Sequence, residues 1–278
     1  MLNRLEEAHA LDGVVERLQT VVTKTVRPQR VRDLLHGTWL GHPLHPVLVQ
    51  LPVGAFLSAA MLDLLPGMHK AATRLIAIGV ASSPPAVLAG WTDWSQMTKD
   101  RQRVGLAHAG ANAVAVTLYA ASLVSRLRGR PGRGLAFAGL SVAGLGAYLG
   151  GHLSYARSAG VNQAAPEIVR VPMEWTEVCS LASLPDGEPV VRVVGDVSVL
   201  MYRNGSAVTA MIERCGHETA PLGEGKVVGS GAEACVVCPW HGSTFRLTDG
   251  AVVHGPAASG QPLLGVRVSA GMVAVRQP

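Results

Sequence analysis

Four stretches of this 278-residue chain contain no Asp, Glu, Lys or Arg: residues 34–62, 75–92, 104–125 and 134–156. A helix of about 20 uncharged residues spans roughly 30 Å of hydrocarbon. A chain with four such runs must either bury them in a large core or place them in lipid, and no other feature narrows its fold as much. The chain as a whole is 48% apolar and 15% charged, with a mean hydropathy of +0.28. That balance is too oily for an ordinary soluble domain. The expected reading is a four-helix transmembrane bundle with spans near 45–65, 72–92, 104–125 and 134–155. Pro52 should kink the first span and Pro84-Pro85 the second, with neighbouring groups satisfying the freed carbonyls. Gly146 and Gly150 form a GxxxG pair, read as close packing inside the bundle.

The flanks of these runs carry the remaining topology signal. Residues 1–33 place Leu2, Leu5, Leu11, Val14, Val15, Leu18, Val21 and Val22 at helical spacing between charges, which predicts an amphipathic helix. Glu6, Glu7, Asp12 and Glu16 interrupt it, so it does not read as a signal peptide. Four spans put both termini on one side. That side carries Lys24, Arg27, Arg30, Arg32, Lys99, Arg101, Arg103 and Arg157. The other carries Lys70, Arg74, Arg126, Arg128, Arg130 and Arg133. The excess leans toward termini in the bacterial cytoplasm. The net charge of +5 and pI near 9.3 do not indicate nucleic acid, because the basic residues flank apolar runs.

After a linker at 157–169, the pattern changes. Val190–Val194 and Val197–Tyr202 are short apolar strands, and Asn204-Gly205 marks a turn. Residues 170–278 therefore read as an all-β domain, following an N-terminal segment (1–33) and a membrane domain (34–156). Within the β domain lie Cys215-Gly216-His217 and Cys238-Pro239-Trp240-His241. Each motif supplies one thiolate and one imidazole. Two sites use that donor set: a structural Cys₂His₂ zinc ion, or a [2Fe–2S] cluster with two Cys on one iron and two His on the other. The C-x-H spacing, the equal division between two loops and the β-rich setting favour the cluster. Cys179 and Cys235 are left over, and Cys235 reads as a core thiol on the strand entering the second loop. His254 reads as a surface residue.

From about residue 167 to the end the chain resembles the Rieske family. The resemblance rests on the two motifs, Pro221-Leu222, Gly242-Ser243-x-Phe245, Asp249-Gly250, Gly255-Pro256-Ala257 and Pro262-Leu263. It implies that Cys215 and Cys238 hold the inner iron, and His217 and His241 the outer. High-potential members carry a loop disulfide and a Tyr hydroxyl near the cluster. This chain has Ala220 and Trp240 at the disulfide places and Phe245 at the Tyr place, while Ser243 remains as a donor. Fewer hydrogen bonds to cluster sulfur imply a potential in the lower part of the Rieske range.

Residues 35–160 resemble a family of small four-helix bacterial membrane proteins of unknown function. The carrying residues are Gly41-His42-Pro43-Leu44-His45-Pro46, Asp63, Gly90-Trp91-Thr92-Asp93-Trp94, His108, Asn112 and Gly150-Gly151-His152. Topology puts His42, His45, Asp93, His108 and His152 near one membrane face, that of the termini. Ionisable groups in spans are costly, and this set is a candidate haem, metal or quinone site. The expected function is a membrane-anchored carrier of single electrons, serving a reductase, oxygenase or respiratory partner. No catalytic residue is assigned, since little chain follows His241. The alternative is a redox sensor whose cluster state controls partner binding.

Overall fold

The structure is a computed structural model and describes residues 2–278. Met1, where the N-terminal segment begins, lies outside them. The chain divides into two units. One takes the residues up to Arg27 with Pro43–Ala159, the other Pro28–His42 with Gly160–Pro278. As expected, the first is helical and the second all-β apart from one α-helix and short 3₁₀ turns.

The single amphipathic helix expected over 1–33 is broken. It consists of α1 (Leu2–Glu6), a 3₁₀ turn (His9–Leu11) and α2 (Asp12–Thr25), and the chain resumes as α3 (Gln29–His36) in the other unit. Pro28 causes the last break, because it lacks an N–H and disfavours helical backbone in the residue before it. Beyond it follow α4 (His45–Leu48), α5 (Gln50–Asp63), α6 (His69–Trp94), α7 (Lys99–Leu127) and α8 (Arg133–Gly151), the last continued by a π-helical turn (His152–Ala156). Counted through small interruptions, four helices are long and apolar enough to cross a membrane: His45–Asp63, His69–Trp94, Lys99–Leu127 and Arg133–Ala156. Pro52 cannot donate to the Leu48 carbonyl, and the first helix is interrupted between α4 and α5. Pro84 and Pro85 leave α6 continuous.

The helical unit repeats itself. Helices α5 and α7 each pack beside α6 and α8, and so stand diagonally across the bundle. Three pairs meet on that diagonal. His45 and His108 rings lie edge to face at 6.3 Å. Phe56 and Tyr119 stack at 3.7 Å with 4° between planes. Asp63 accepts two hydrogen bonds from the Arg126 guanidinium, one of them at 2.8 Å. In every pair the second residue stands 63 positions after the first. The other two helices repeat at a spacing of 60 positions. His45 bonds the Ala86 carbonyl and His108 the Gly146 carbonyl, both at 2.8 Å. A methyl group on Gly79 would overlap the Phe56 ring, and one on Gly139 would lie 3.1 Å from Tyr119. Gly90 and Gly150 leave room for His45 and His108 in the same way. The GxxxG pair thus packs inside the bundle.

The β unit has three antiparallel sheets, and their strands are numbered in chain order. The first contains β1 (Thr176–Ser180), β10 (Met272–Arg276) and β9 (Gly265–Ser269). The second contains β2 (Pro189–Val194), β3 (Val197–Asn204) and β4 (Ala207–Ile212). The third contains β5 (Lys226–Val228), β6 (Cys235–Val237), β7 (Thr244–Arg246) and β8 (Val252–His254). Strand β3 is apolar on both faces because it feeds two cores. Val197, Val199 and Met201 pack with Val273 and Val275, whereas Leu200 and Tyr202 pack with Cys215, Cys238 and Phe245. The second core is the floor of the candidate site. The segment expected as a linker is partly ordered on this unit, with a 3₁₀ stretch at Ala165–Arg170.

Candidate metal centre

The two Cys-His motifs occupy loops of the same construction. The first follows β4 and the second joins β6 to β7. The Cys215 N–H donates to the Ala220 carbonyl and the Cys238 N–H to the Ser243 carbonyl, both at 2.8 Å. Four residues after each Cys the chain turns back, and the N–H of Thr219 or Gly242 donates to the carbonyl of that Cys, at 2.9 and 3.1 Å. Both turn residues are in the left-handed region, with φ of 61° and 77°. Glycine adopts that backbone freely and threonine at a cost.

This construction gathers the donors in like pairs. The Cys215 and Cys238 thiols are buried and hydrogen-bonded to each other, with no disulfide between them. Backbone N–H groups of His217 and Glu218 point at the first sulfur, and those of Trp240 and His241 at the second. The shared hydrogen bond pulls the Cys238 thiol down to about 6. The same bond, with burial, pushes Cys215 up. Beside them the His217 and His241 rings stand 5.0 Å apart at 89°. A metal–nitrogen bond of about 2.0 Å, with the ring centre about 1.2 Å further on, puts two imidazoles of a tetrahedral metal about 5 Å apart. The buried Nδ1 of His241 has no hydrogen-bond partner among the described residues, and burial lowers the basicity of the ring. The donors thus lie as two like pairs, thiol with thiol and imidazole with imidazole, an arrangement that suits a two-iron cluster with Cys on one iron and His on the other.

The surroundings include residues that motif reading singled out and others that it missed. Ser243 is fully buried, and its hydroxyl oxygen accepts the Ala257 N–H at 2.9 Å. Phe245 is fully buried beneath the loops, while Trp240 is exposed next to His241. Gln261 was not expected. It is buried, its amide donates to the carbonyls of Ile212 (2.6 Å) and Arg214 (2.5 Å), and its oxygen accepts the Gly216 N–H at 3.1 Å. Asn162 fills the space over Gly216, and the Gln163 side chain donates to the His217 carbonyl at 2.7 Å. Asp33 of α3 accepts from His254 (2.9 Å) and from the Gly255 N–H (3.0 Å). His254, expected at the surface, is exposed there and hydrogen-bonded to Asp33. Cys235 is a buried thiol on β6, as its sequence position implies.

The five residues considered in the helical half have separate settings. His45 and His108 face each other. His152 lies 3.0 Å from Glu6, whose carboxylate is also 3.4 Å from the Arg157 guanidinium. Asp93 lies in the last turn of α6, and His42 belongs to the β unit.

Comparison with known proteins matches residues 174–268 to the Rieske [2Fe-2S] domain family, and residues 41–163 to the family described as "Predicted membrane protein (DUF2231)". The chain is 29% identical over 102 residues to the anthranilate 1,2-dioxygenase ferredoxin subunit of Burkholderia cepacia, covering 37% of this chain and 91% of that one. It is 28% identical over 100 residues to the 3-phenylpropionate/cinnamic acid dioxygenase ferredoxin subunit of Escherichia coli (strain K12), covering 36% and 91%. Among solved structures, the ferredoxin of carbazole 1,9a-dioxygenase from Nocardioides aromaticivorans IC177 matches at 26% identity and a TM-score of 0.35, covering 37% of this chain and 98% of that one.

Proposed function

From a chain that joins a Rieske ferredoxin-type electron-carrier domain to a DUF2231 domain, we propose a membrane-anchored one-electron carrier. The observation that carries the reading is the pairing of the donors: two thiols in contact, and two imidazoles at the spacing of ligands on one iron. When bound, the [2Fe–2S] cluster supplies one-electron Fe³⁺/Fe²⁺ chemistry at its His-ligated iron. The chain's own residues do the rest. Cys215 and Cys238 would hold one iron, and His217 and His241 the other. The four N–H groups aimed at the Cys sulfurs, with the Ser243 hydroxyl, stabilise added negative charge. Trp240 presents an exposed aromatic surface beside His241, where a redox partner approaches. The named relatives serve dioxygenases, which supports a reductase as donor and an oxygenase as acceptor. A respiratory component is an equivalent acceptor in chemical terms.

The bilayer is the partner of the helical unit in this reading. Large apolar side chains such as Leu57, Met61, Val87, Val114, Leu145 and Tyr148 are exposed on its helices. A surface of that kind needs lipid or protein cover. The span count and the basic flanks support termini, and with them the cluster domain, on the cytoplasmic side of a bacterial cell membrane. The same helices offer the carrier a second redox site.

Full-length protein purified in detergent from the membrane fraction tests the proposal. It should contain two irons per cluster domain and give a rhombic EPR signal on reduction. An EPR-silent, zinc-loaded protein rejects it.

A further inference from the structure

Helix α3 carries two faces of different kinds. On one, Leu35 and His36 are buried, and Asp33 accepts hydrogen bonds from His254 and from the Gly255 N–H. The His36 side chain also lies over Gly255. That face belongs to the cluster domain. The opposite face carries Val31 and Leu34, which are neighbours on a helix surface at a spacing of three. Trp39 extends the pair. Gly37 ends the helix in the left-handed region, and the Trp39 indole N–H donates back to the Leu34 carbonyl at 3.3 Å. Val31, Leu34 and Trp39 are 41, 52 and 64% exposed, so this apolar stripe lies open at the surface.

Charge says what the stripe fits. Between Glu16 and Asp63 the chain has one acidic residue, Asp33, and its carboxylate is bonded to the cluster domain. The same interval holds Arg17, Lys24, Arg27, Arg30 and Arg32. Arg30 is exposed one turn before Leu34, and Arg27 is exposed just ahead of the helix. An open apolar stripe with an indole at one end and a basic flank is the pattern of a helix that lies in the headgroup region of an anionic bilayer. A second copy of the chain would instead bring the same basic flanks against each other. Chain length agrees. The first helix able to cross a membrane begins at His45, six residues after Trp39. Six residues reach at most about 22 Å, so the stripe stays close to the bilayer surface that this span enters.

We infer that α3 lies on the anionic surface of the bilayer through Val31, Leu34 and Trp39, and so holds the cluster domain at the membrane face. The inference rests on the membrane reading proposed above and adds a second contact with the same bilayer. The test uses full-length protein in nanodiscs of phosphatidylcholine and phosphatidylglycerol, with the phosphatidylcholine either unlabelled or brominated close to the headgroup. The emission of Trp39 is the difference between wild-type protein and Trp39→Phe. Brominated lipid should quench that emission at least about twofold. Leu34→Glu should remove the quenching while the reduced cluster keeps its EPR signal, which reports a folded cluster domain. Arg27→Gln and Arg30→Gln should each shift the ratio of attached to detached helix about fivefold toward detachment, and discs without phosphatidylglycerol should weaken the quenching too. Quenching indifferent to these charges would overturn the inference, as would a dimer that Leu34→Glu splits into monomers. Protein that alkaline carbonate strips from the membrane fails the membrane reading, and the inference with it. Protein that stays in the disc with Trp39 unquenched fails the inference alone.

Discussion

Ser243 shows how one side chain can set a redox property. Its oxygen is engaged by the Ala257 N–H, so in the proposed cluster-bound protein its own hydrogen would be available to a cluster sulfur. A neutral hydrogen bond contributes about 1 kcal/mol, which is about 40 mV for a one-electron couple. Ser243→Ala should therefore lower the midpoint potential by about that amount without loss of iron. EPR-monitored redox titration checks this, and an unchanged or higher potential counts against the role. With Phe245 supplying no hydroxyl, the wild-type midpoint should fall well below about +300 mV. The four proposed ligands stand out in the sequence because each Cys sets its His at a fixed short spacing. Gln261 was not legible. It holds the first loop from far along the chain, and no local pattern distinguishes it from a surface glutamine. Asp33 was hidden for the same reason, since its partners lie more than 200 positions away.

At the level of elements, length and charge were enough to find all four long helices. The break at Pro28 was misread because apolar spacing continues across it, whereas a proline interrupts the backbone whatever its neighbours are. The internal repeat was also missed. Its equivalent residues share a role more than an identity: Phe56 answers Tyr119, and Asp63 answers Arg126. Only contact across the diagonal makes the correspondence visible. The repeat is close but unequal, which gives a test. Gly79→Ala forces a methyl group into the Phe56 ring, while Gly139→Ala meets Tyr119 at 3.1 Å. Overpacking of the first kind costs about 1–3 kcal/mol, and the second substitution should cost less. Thermal or SDS titration of the purified variants reads the difference, and combining Gly79→Ala with Phe56→Leu should recover most of the loss. Equal effects at the two glycines would contradict the packing described.

At the level of the whole molecule, the N-terminal helices are tied to the bundle by charge. Arg103 donates to Asp12 at 2.7 and 2.9 Å, to the Glu6 carbonyl at 2.5 Å, and lies 2.8 Å from His9 Nδ1. The hydrogen bonds from Arg103 hold the Asp12 carboxyl below its ordinary range. A depressed carboxylate stabilises the fold above its unfolded value, about 3.9, and that contribution is lost as pH falls through the lower folded value. The α2 segment should therefore loosen below about pH 4, seen as faster hydrogen exchange over residues 12–25. Asp12→Asn should remove this acid step, and a step that persists in the variant would assign it elsewhere. The pair at the far end of the diagonal has a different consequence. Asp63 and Arg126 occupy equivalent places in the two halves. In a dimer of identical two-helix hairpins that place would face its own copy, acid against acid or base against base. In a single polypeptide the two places carry opposite charges and pair, so neither hairpin can stand in for the other.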